Sequence, residues 1–572
     1  MKKKMIPVLF AVVLIVLVAA VAFGSKILEK YSYSKEQADL RDYFKLEQED
    51  EIAIILQDEL VEEKAKLRDG ICYFDLSTVS RYFTDRFYVN SVEQVLLFTT
   101  DTDVIRIDIG DGSDTKYVSD AGEALGYKAA FYEGETLYIA ADYVKNYANF
   151  EYHLYEGPLH MQVYTQWDVY TSAEISKKTN LRYQGGIKSD ILVPLAMGEE
   201  VVLLEEMETW SKVKTKDSYI GYVENKYIKN KSGVARVCDT GFEELVYNSV
   251  KKEGMINLTF HQVFEEVGGD YLINALSGTK GINVISPTWF RLTNSSGDFS
   301  SIANASYVSA AHERGIDVWA LITDVDSADL YGIEVDFVEL FSSSANRRHL
   351  IDGLMAQVDA FGLDGVNIDF ERVRSDAGPH FVQFLRELSI ETGKRGVVLS
   401  VDNNVPTEYT AHYNRKEQGI VVDYLIIMGY DEHYSGGGEA GSNASIDFVE
   451  KGIIHTKEAA PADKIINAIS FYTRVWASGP DGLKASTLTM ASTQNWIADN
   501  GVNPVWLEEY CQNYGEYQSG DTLYQCWIED VTSIEVKLQV MQSQGIAGVA
   551  SWKLGLEDKA VWDKIAEYMG AN

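Results

Sequence analysis

The chain has 572 residues, enough for several domains, each with its own core. Its 51 basic and 86 acidic side chains leave a net charge of −35, a field in which no basic patch for nucleic acid could prevail. The four cysteines, Cys72, Cys238, Cys511 and Cys526, are too sparse for a disulfide scaffold and lack metal-ligand spacing. Cys511 and Cys526 are near enough in sequence to pair in an oxidising compartment, and equally compatible with two isolated thiols.

Met1-Lys-Lys-Lys4 precedes an apolar run that reaches Phe23. A basic start followed by a hydrophobic segment is an export signal. Residues 6–24 are just long enough to span a bilayer. Residues 1–26 therefore read as an uncleaved transmembrane anchor, with the lysines in the cytoplasm and the remainder outside. Cleavage at Ala20-Val-Ala22, giving a secreted protein, is the alternative. Residues 33–68 are rich in Glu, Lys, Leu and Ala without glycine or proline, and read as a solvated helical stalk. Residues 70–158 carry short β-prone runs such as Asp103-Val-Ile-Arg-Ile-Asp-Ile109. Turn clusters such as Gly110-Asp-Gly-Ser-Asp114 separate them, so this span reads as a small β-rich stalk domain. Residues 160–230 read as five or six further short strands.

From Gly254 onward, apolar strands alternate with helical stretches, the pattern of parallel βα units. Strands are expected at 256–260, 281–286, 317–322, 365–370, 397–401, 424–428, 465–469 and 547–551. Eight such strands imply a (β/α)8 barrel. Residues 477–530, between the last two, read as an inserted α+β subdomain flanking the cleft.

Within Phe361-Gly-Leu-Asp-Gly-Val-Asn-Ile-Asp-Phe-Glu371, the polar Asn367, Asp369 and Glu371 alternate with Val366, Ile368 and Phe370. A strand sends every second side chain to one face. A face of Asn, Asp and Glu is costly to bury unless its groups bond one another or a ligand. Glu371, at the strand's C-terminal end, is expected to be the most exposed of the three. Active sites of such barrels gather at the C-terminal strand ends. Those ends bring Trp289, the run Met428-Gly-Tyr430-Asp431, Tyr472, Trp476 and Trp552 towards one rim. Gly436-Gly-Gly438-Glu-Ala-Gly441 formally matches a dinucleotide fingerprint, but Asp431 to Ser435 separate it from the strand, so it reads as a rim loop.

The run Asp364-x-x-Asn367-x-Asp369-x-Glu371 resembles the Asp-x-x-Asp-x-Asp-x-Glu signature of glycoside hydrolase family 18, with Asn367 in place of one Asp. Met428-Gly-Tyr430-Asp431 is similar to the family's Met-x-Tyr-Asp motif, and Trp552 to its strand-eight tryptophan. Trp527-Ile-Glu-Asp530 and Ala550-Ser-Trp-Lys-Leu-Gly-Leu-Glu557 resemble the spore-cortex and peptidoglycan-active branch, and the resemblance covers 254–572. Arg182, Ile191-Leu192, Gly198-Glu-Glu-Val201, Trp210-Ser-Lys-Val213 and Ile220-Gly-Tyr-Val223 resemble a bacterial SH3 domain, in which Trp210 would fill the core. That resemblance implies binding to cell-wall peptides. Residues 70–158 resemble stalk domains similar to the N-terminal domain of copper amine oxidases, but no histidine cluster accompanies them and no copper is inferred.

The family resemblance implies hydrolysis without a cofactor or metal. The substrate's own 2-acetamido oxygen would attack the anomeric carbon. Glu371 would act as general acid and then base. Asp369 would orient the acetamido N–H and share a proton with Glu371, raising its pKa. Tyr430 and Asp431 would hold the acetamido group, and Trp552 would form the apolar floor under the sugar. Trp289, Tyr472, Trp476 and Met428 complete the expected substrate-binding set. Asn367 cannot take a proton, but it could hydrogen-bond Asp369 in a fixed sense, shifting rate or pH optimum while activity persists. The expected substrate is peptidoglycan. Chitin or chitooligosaccharide is the alternative within the fold, and a non-catalytic glycan-binding barrel the alternative outside enzymes.

Overall fold

The computed structural model describes residues 5–109, 117–118, 125–325, 329 and 332–570. The expected turn cluster at 110–114 and the lysines at 2–4 lie outside the described residues. The chain divides into two compact units, one drawn from residues up to 245 and the other chiefly from 246–572, with 88–93 and 97–105 added. A helix runs Met5–Tyr31, over the segment expected as an anchor. Among the described residues no helix is long and apolar enough to cross a membrane, so the structure lends the anchor no support.

In the first unit, 33–68 is not a helical stalk. After a short helix, Leu40–Phe44, it forms strands Glu51–Leu56 and Glu59–Arg68. These pair antiparallel, with Glu51 opposite Lys66, Ala53 opposite Lys64 and Ile55 opposite Leu60. Glu51 and Lys66, two of the residues that suggested a helix, face one another across the hairpin, while Ile52, Ala53, Ile54 and Ile55 are buried. The hairpin belongs to a sheet that also holds Ile71–Asp75, Ala130–Glu133, Thr136–Ala140, Glu151–Tyr155 and His160–Tyr164. The β-rich domain expected at 70–158 is thus a sheet whose strands begin at 51 and end at 164, while 88–93 and 97–105 within that span belong to the second unit.

A second sheet of this unit takes strands from Val169–Ile175 through Ile228–Ala235, the region expected to be SH3-like. Its core is Leu181, Leu192, Leu195, Val201, Val213 and Val223, joined by Phe44, Leu46, Ala53 and Ile55. Trp210 is not in that core. It is half-buried and lies with Gly185, Met207 and Tyr222 along a shallow surface pocket. Strand Trp210–Thr215 starts at Trp210, and its inward residue is Val213, which pairs with Gly221.

The second unit carries the barrel. Its strands are β1 (Ile256–His261), β2 (Val284–Leu292), β3 (Asp317–Thr323), β4 (Gly365–Asp369), β5 (Val398–Asn404), β6 (Tyr424–Met428), β7 (Ile465–Ser470) and β8 (Gly548–Trp552). All pair in parallel around the ring, and β1 bonds both β2 and β8, which closes it. Both strand faces are buried, as a barrel wrapped in helices requires. Val284, Trp319, Val398, Ile426, Ile466 and Ala550 fill the inside. The residues between them, such as Ile285, Val318, Val366 and Leu425, pack outward against helices. Gly365 is demanded by this interior: a Cβ there would lie 2.7 Å from the Trp319 ring and 2.9 Å from the carbonyl of Val398.

The expected insertion is present as a five-stranded sheet among the described residues, from Tyr472–Gly479 to Thr522–Ile528, with a helix at Met490–Asp499. It begins at Tyr472, directly after β7. Cys526 is in its small core, and all four cysteines are free.

Candidate active site

The C-terminal ends of β1, β4, β5, β6 and β8 surround a cleft of about 170 Å³. Phe260, Asp369, Glu371, Asp402, Asn404, Met428, Tyr430, Asp431, Tyr472 and Trp552 line it. Seven of these, Asp369, Glu371, Met428, Tyr430, Asp431, Tyr472 and Trp552, were expected from the sequence.

The polar face of β4 is graded as expected. Asn367 is fully buried, Asp369 is 8% exposed, and Glu371 is exposed to the cleft. Asp364 is structural: its carboxylate accepts the Val318 N–H at 2.8 Å and meets His312 Nε2 at 2.7 Å. Asn367 does not bond Asp369. Its Nδ2 donates to Asp402 at 2.9 Å, and its Oδ1 accepts from Ser400 Oγ at 2.9 Å. The neighbouring strand, which places Ser400 directly opposite Asn367, out-competes the next residue along its own strand.

Glu371 is held by its backbone. Its N–H and that of Arg372 donate to the carboxylate of Asp324, at 2.9 and 3.2 Å. The Phe370 carbonyl before it accepts from the Tyr413 hydroxyl at 2.9 Å. Solvent reaches the Glu371 side chain along the cleft, yet the packed walls, then the repulsion of Asp324 and Asp431, push its pKa up to about 7. Burial, followed by Glu371, Asp402 and Asp324, holds Asp369 well above the ordinary carboxylate range. Burial raises Asp324 to about 6 against the pull of the backbone N–H groups it accepts. The site thus keeps carboxylic acids at neutral pH by withholding water and crowding like charges.

The run after β6 adds the opposite wall. Asp431, at φ 62°, accepts from the Tyr472 hydroxyl at 2.6 Å and from Arg474. Tyr430 and Tyr472 meet edge to face with ring centroids 6.4 Å apart. Trp552 lies 5.4 Å from the Phe260 ring and forms an apolar side of the cleft.

Two expected substrate contacts fail. Trp289 is fully buried outside the barrel ring, packed against Tyr307 at 5.0 Å. It shares its strand parity with the outward Ile285, so the pleat directs it away from the cleft. Trp476 is 1% exposed, and its Nε1 donates to the Gly441 carbonyl at 2.8 Å. It ties the insertion to the rim loop. The rim-loop reading of the glycines holds: the next helix starts only at Ile446.

Sequence reading missed Asp324, Asp402, Asn404, Phe260 and Arg474. Ser400, Asp402 and Asn404 alternate along the end of β5 just as Asn367, Asp369 and Glu371 do along β4, and Asp324 follows the last residue of β3. Reading every strand end by that rule would have found Asp402, whereas Asp324 falls on the parity of the outward Ala320 and Ile322.

Residues 292–557 match the family described as Glycosyl hydrolases family 18, and residues 177–229 match Bacterial SH3 domain. Residues 292–557 are thus a glycosyl hydrolases family 18 domain. The chain is 29% identical over 274 residues to the "Putative sporulation-specific glycosylase YdhD" of Bacillus subtilis (strain 168), covering 46% of this chain and 63% of that one. It is 23% identical over 262 residues to the "Cortical fragment-lytic enzyme" of Bacillus anthracis, covering 43% of this chain and 59% of that one. The matches thus span less than two thirds of either relative. The crystal structure of the Bacillus cereus spore cortex-lytic enzyme SleL aligns with a TM-score of 0.48 at 20% identity, over 57% of this chain and 76% of that one.

Proposed function

We propose that this chain is a retaining glycosidase that hydrolyses N-acetylglucosamine-containing glycan, with peptidoglycan as substrate. The observation that carries the reading is Glu371. It is a carboxylic acid with its pKa near 7, fixed by its backbone and open to a cleft with an apolar side. A general acid works best when its pKa lies near the working pH.

Glu371 donates its proton to the leaving glycosidic oxygen and later takes one from water. An ordinary retaining pair needs a nucleophilic carboxylate about 5 Å from the acid, across the bond. Asp369 shares a strand face with Glu371, which suits orientation. Asp431 is engaged by Tyr472 and Arg474. The nucleophile in this reading is the substrate's 2-acetamido oxygen. Asp369 orients the acetamido N–H, Tyr430 and Asp431 hold that group, and Trp552 supports the sugar ring.

The bacterial SH3 domain and a relative named as a cortical fragment-lytic enzyme favour peptidoglycan over chitin. In this reading the SH3 domain holds the wall. The basic, apolar N-terminus supports work outside the cytoplasm, with residues 6–24 as the tether.

A thiazoline mimic of the cyclised acetamido intermediate tests the mechanism. It is expected to inhibit at far lower concentration than substrate analogues, because transition-state-like species bind tighter. Failure to inhibit, together with a covalent adduct from a 2-fluoro sugar, would contradict substrate assistance.

A further inference from the structure

Asp402 is the carboxylate in the cleft to which neither the signature motif nor the proposed mechanism gives a role. Strands β4 and β5 pair in parallel with Asn367 opposite Ser400 and Ile368 opposite Val401. One step further along that register, Asp369 and Asp402 stand side by side on the inward face. Directly opposed residues on one sheet face are neighbours at roughly 5 Å between Cβ atoms. Asp369 and Asp402 are 8% and 5% exposed, and both line the cleft with Glu371.

The hydrogen bonds of Asp402 are lopsided. Its Oδ2 accepts from the Asn367 amide, whose sense is fixed because Asn367 Oδ1 accepts from Ser400. Its Oδ1 is buried without a hydrogen-bond partner among the described residues. A buried oxygen left in that state costs free energy unless a proton is supplied.

We propose that Asp402 is the carboxylate with which Asp369 shares a proton, so that a partnership the family signature places within one strand runs across two strands here. Asn367 sits where the in-strand partner would be, and turns its amide to the substitute. The inference rests on the glycosidase reading for its role in turnover.

The protons balance. At rest, Glu371 carries one and the Asp369–Asp402 pair carries another, donated from Asp369 to Asp402. Glu371 gives its proton to the glycosidic oxygen as the bond to the anomeric carbon breaks and the acetamido oxygen bonds that carbon. The Asp369 proton then turns toward the Glu371 anion, and the Asn367 amide donor holds the Asp402 anion left behind. Water next attacks the anomeric carbon, its proton passes to Glu371, the acetamido bond to that carbon breaks, and the Asp369 proton turns back. Asp402 is a positioning residue in this scheme, since it acts through Asp369.

The charged and titratable groups facing this cluster come from four elements. Asp324 and Asp329 follow β3, Glu371 and Arg372 follow β4, and Tyr413 lies beyond β5. Tyr430 and Asp431 follow β6. Burial, and after it the charge of Glu371, holds Asp402 well above the ordinary carboxylate range against the pull of the Asn367 hydrogen bond.

The test is Asp402→Asn in the full chain. With an aryl N-acetylglucosaminide or oligosaccharide substrate, kcat is expected to fall at least about tenfold, while KM changes by less than about threefold. The alkaline limb of the kcat/KM profile is expected to move up by roughly one pH unit, since the pair's single negative charge then rests on Asp369, directly beside the acid. Asn367→Asp combined with Asp402→Asn moves the carboxylate to the in-strand seat, and is expected to restore most of kcat. Infrared difference spectra give a readout free of turnover. Recorded in a Glu371→Gln background, which removes the acid's own band, the carbonyl stretch of a protonated carboxyl at neutral pH should be lost in Asp402→Asn and in Asp369→Asn, and return in the swap. An unmoved limb with the infrared band intact overturns the proposal. The band without any hydrolysis by the wild-type protein supports the shared proton and overturns the glycosidase reading instead. Should Asp402→Asn fail to fold, Asn367→Asp alone decides: its added carboxylate should raise the alkaline limb, and an unmoved limb overturns the proposal.

Discussion

The carboxylate of Asp324 cradles the backbone of Glu371: it accepts the N–H of Glu371 at 2.9 Å and that of Arg372 at 3.2 Å. A residue at the end of β3 thus fixes the acid at the end of β4, and its charge also raises the acid's pKa.

Asp324→Asn keeps an acceptor and removes the charge. Glu371 should then ionise more readily, so the alkaline limb of kcat/KM should fall by roughly half to one unit. A pH–rate profile checks this. Asp324→Ala also removes the cradle, and kcat should fall further than in the Asn variant.

Burial raises Asp324 and Asp423 to about 6 each, above their ordinary value near 4. The folded protein therefore binds more protons than the unfolded chain between those values. The stability these two groups contribute is fully present below about pH 4 and is lost as pH rises through about 6. Melting curves between those pH values should show Tm falling, and Asp324→Asn should flatten the trend. A Tm that climbs across that window through these groups would reverse the sign.

Trp289 and Trp552 should separate cleanly. Trp289→Phe leaves a void against Tyr307, and should lower stability by about 1–3 kcal/mol with KM unchanged. Trp552→Ala removes a side of the cleft and should raise KM about tenfold or more with a smaller effect on folding. Chemical denaturation and steady-state kinetics on the same preparations decide it.

Trp210 is half-buried on the SH3 surface beside Tyr222 and Gly185 rather than in the core. Trp210→Ala should therefore leave the melting curve nearly unchanged and cut retention on insoluble peptidoglycan by at least about fivefold. Equal retention would leave the domain as a spacer.

The barrel was legible because parallel strands buried on both faces read as unbroken apolar runs, and β6 was located to the residue. Glu371 and Asp369 were legible because carboxylates interrupt such a run. Trp289 was misread because a rim aromatic looks alike from either pleat, and only strand parity separates the cleft from the helix layer. The hairpin at 51–68 was misread because its Glu and Lys residues carry helix propensity, while the cross-strand pairs that use them are a tertiary fact. Asn367 was expected to serve Asp369, since sequence neighbours are visible and cross-strand neighbours such as Ser400 and Asp402 are not.

The central claim, that Glu371 is the acid of a glycan hydrolase, is tested most directly by digesting purified peptidoglycan with the wild-type chain and with Glu371→Gln, and reading the products by mass spectrometry. The account predicts fragments cut beside N-acetylglucosamine from the wild type, and no such fragments from a folded Glu371→Gln variant, which keeps the shape of the acid without its proton. Turnover by the variant within about tenfold of wild type would contradict it, because losing a general acid removes roughly a hundredfold or more.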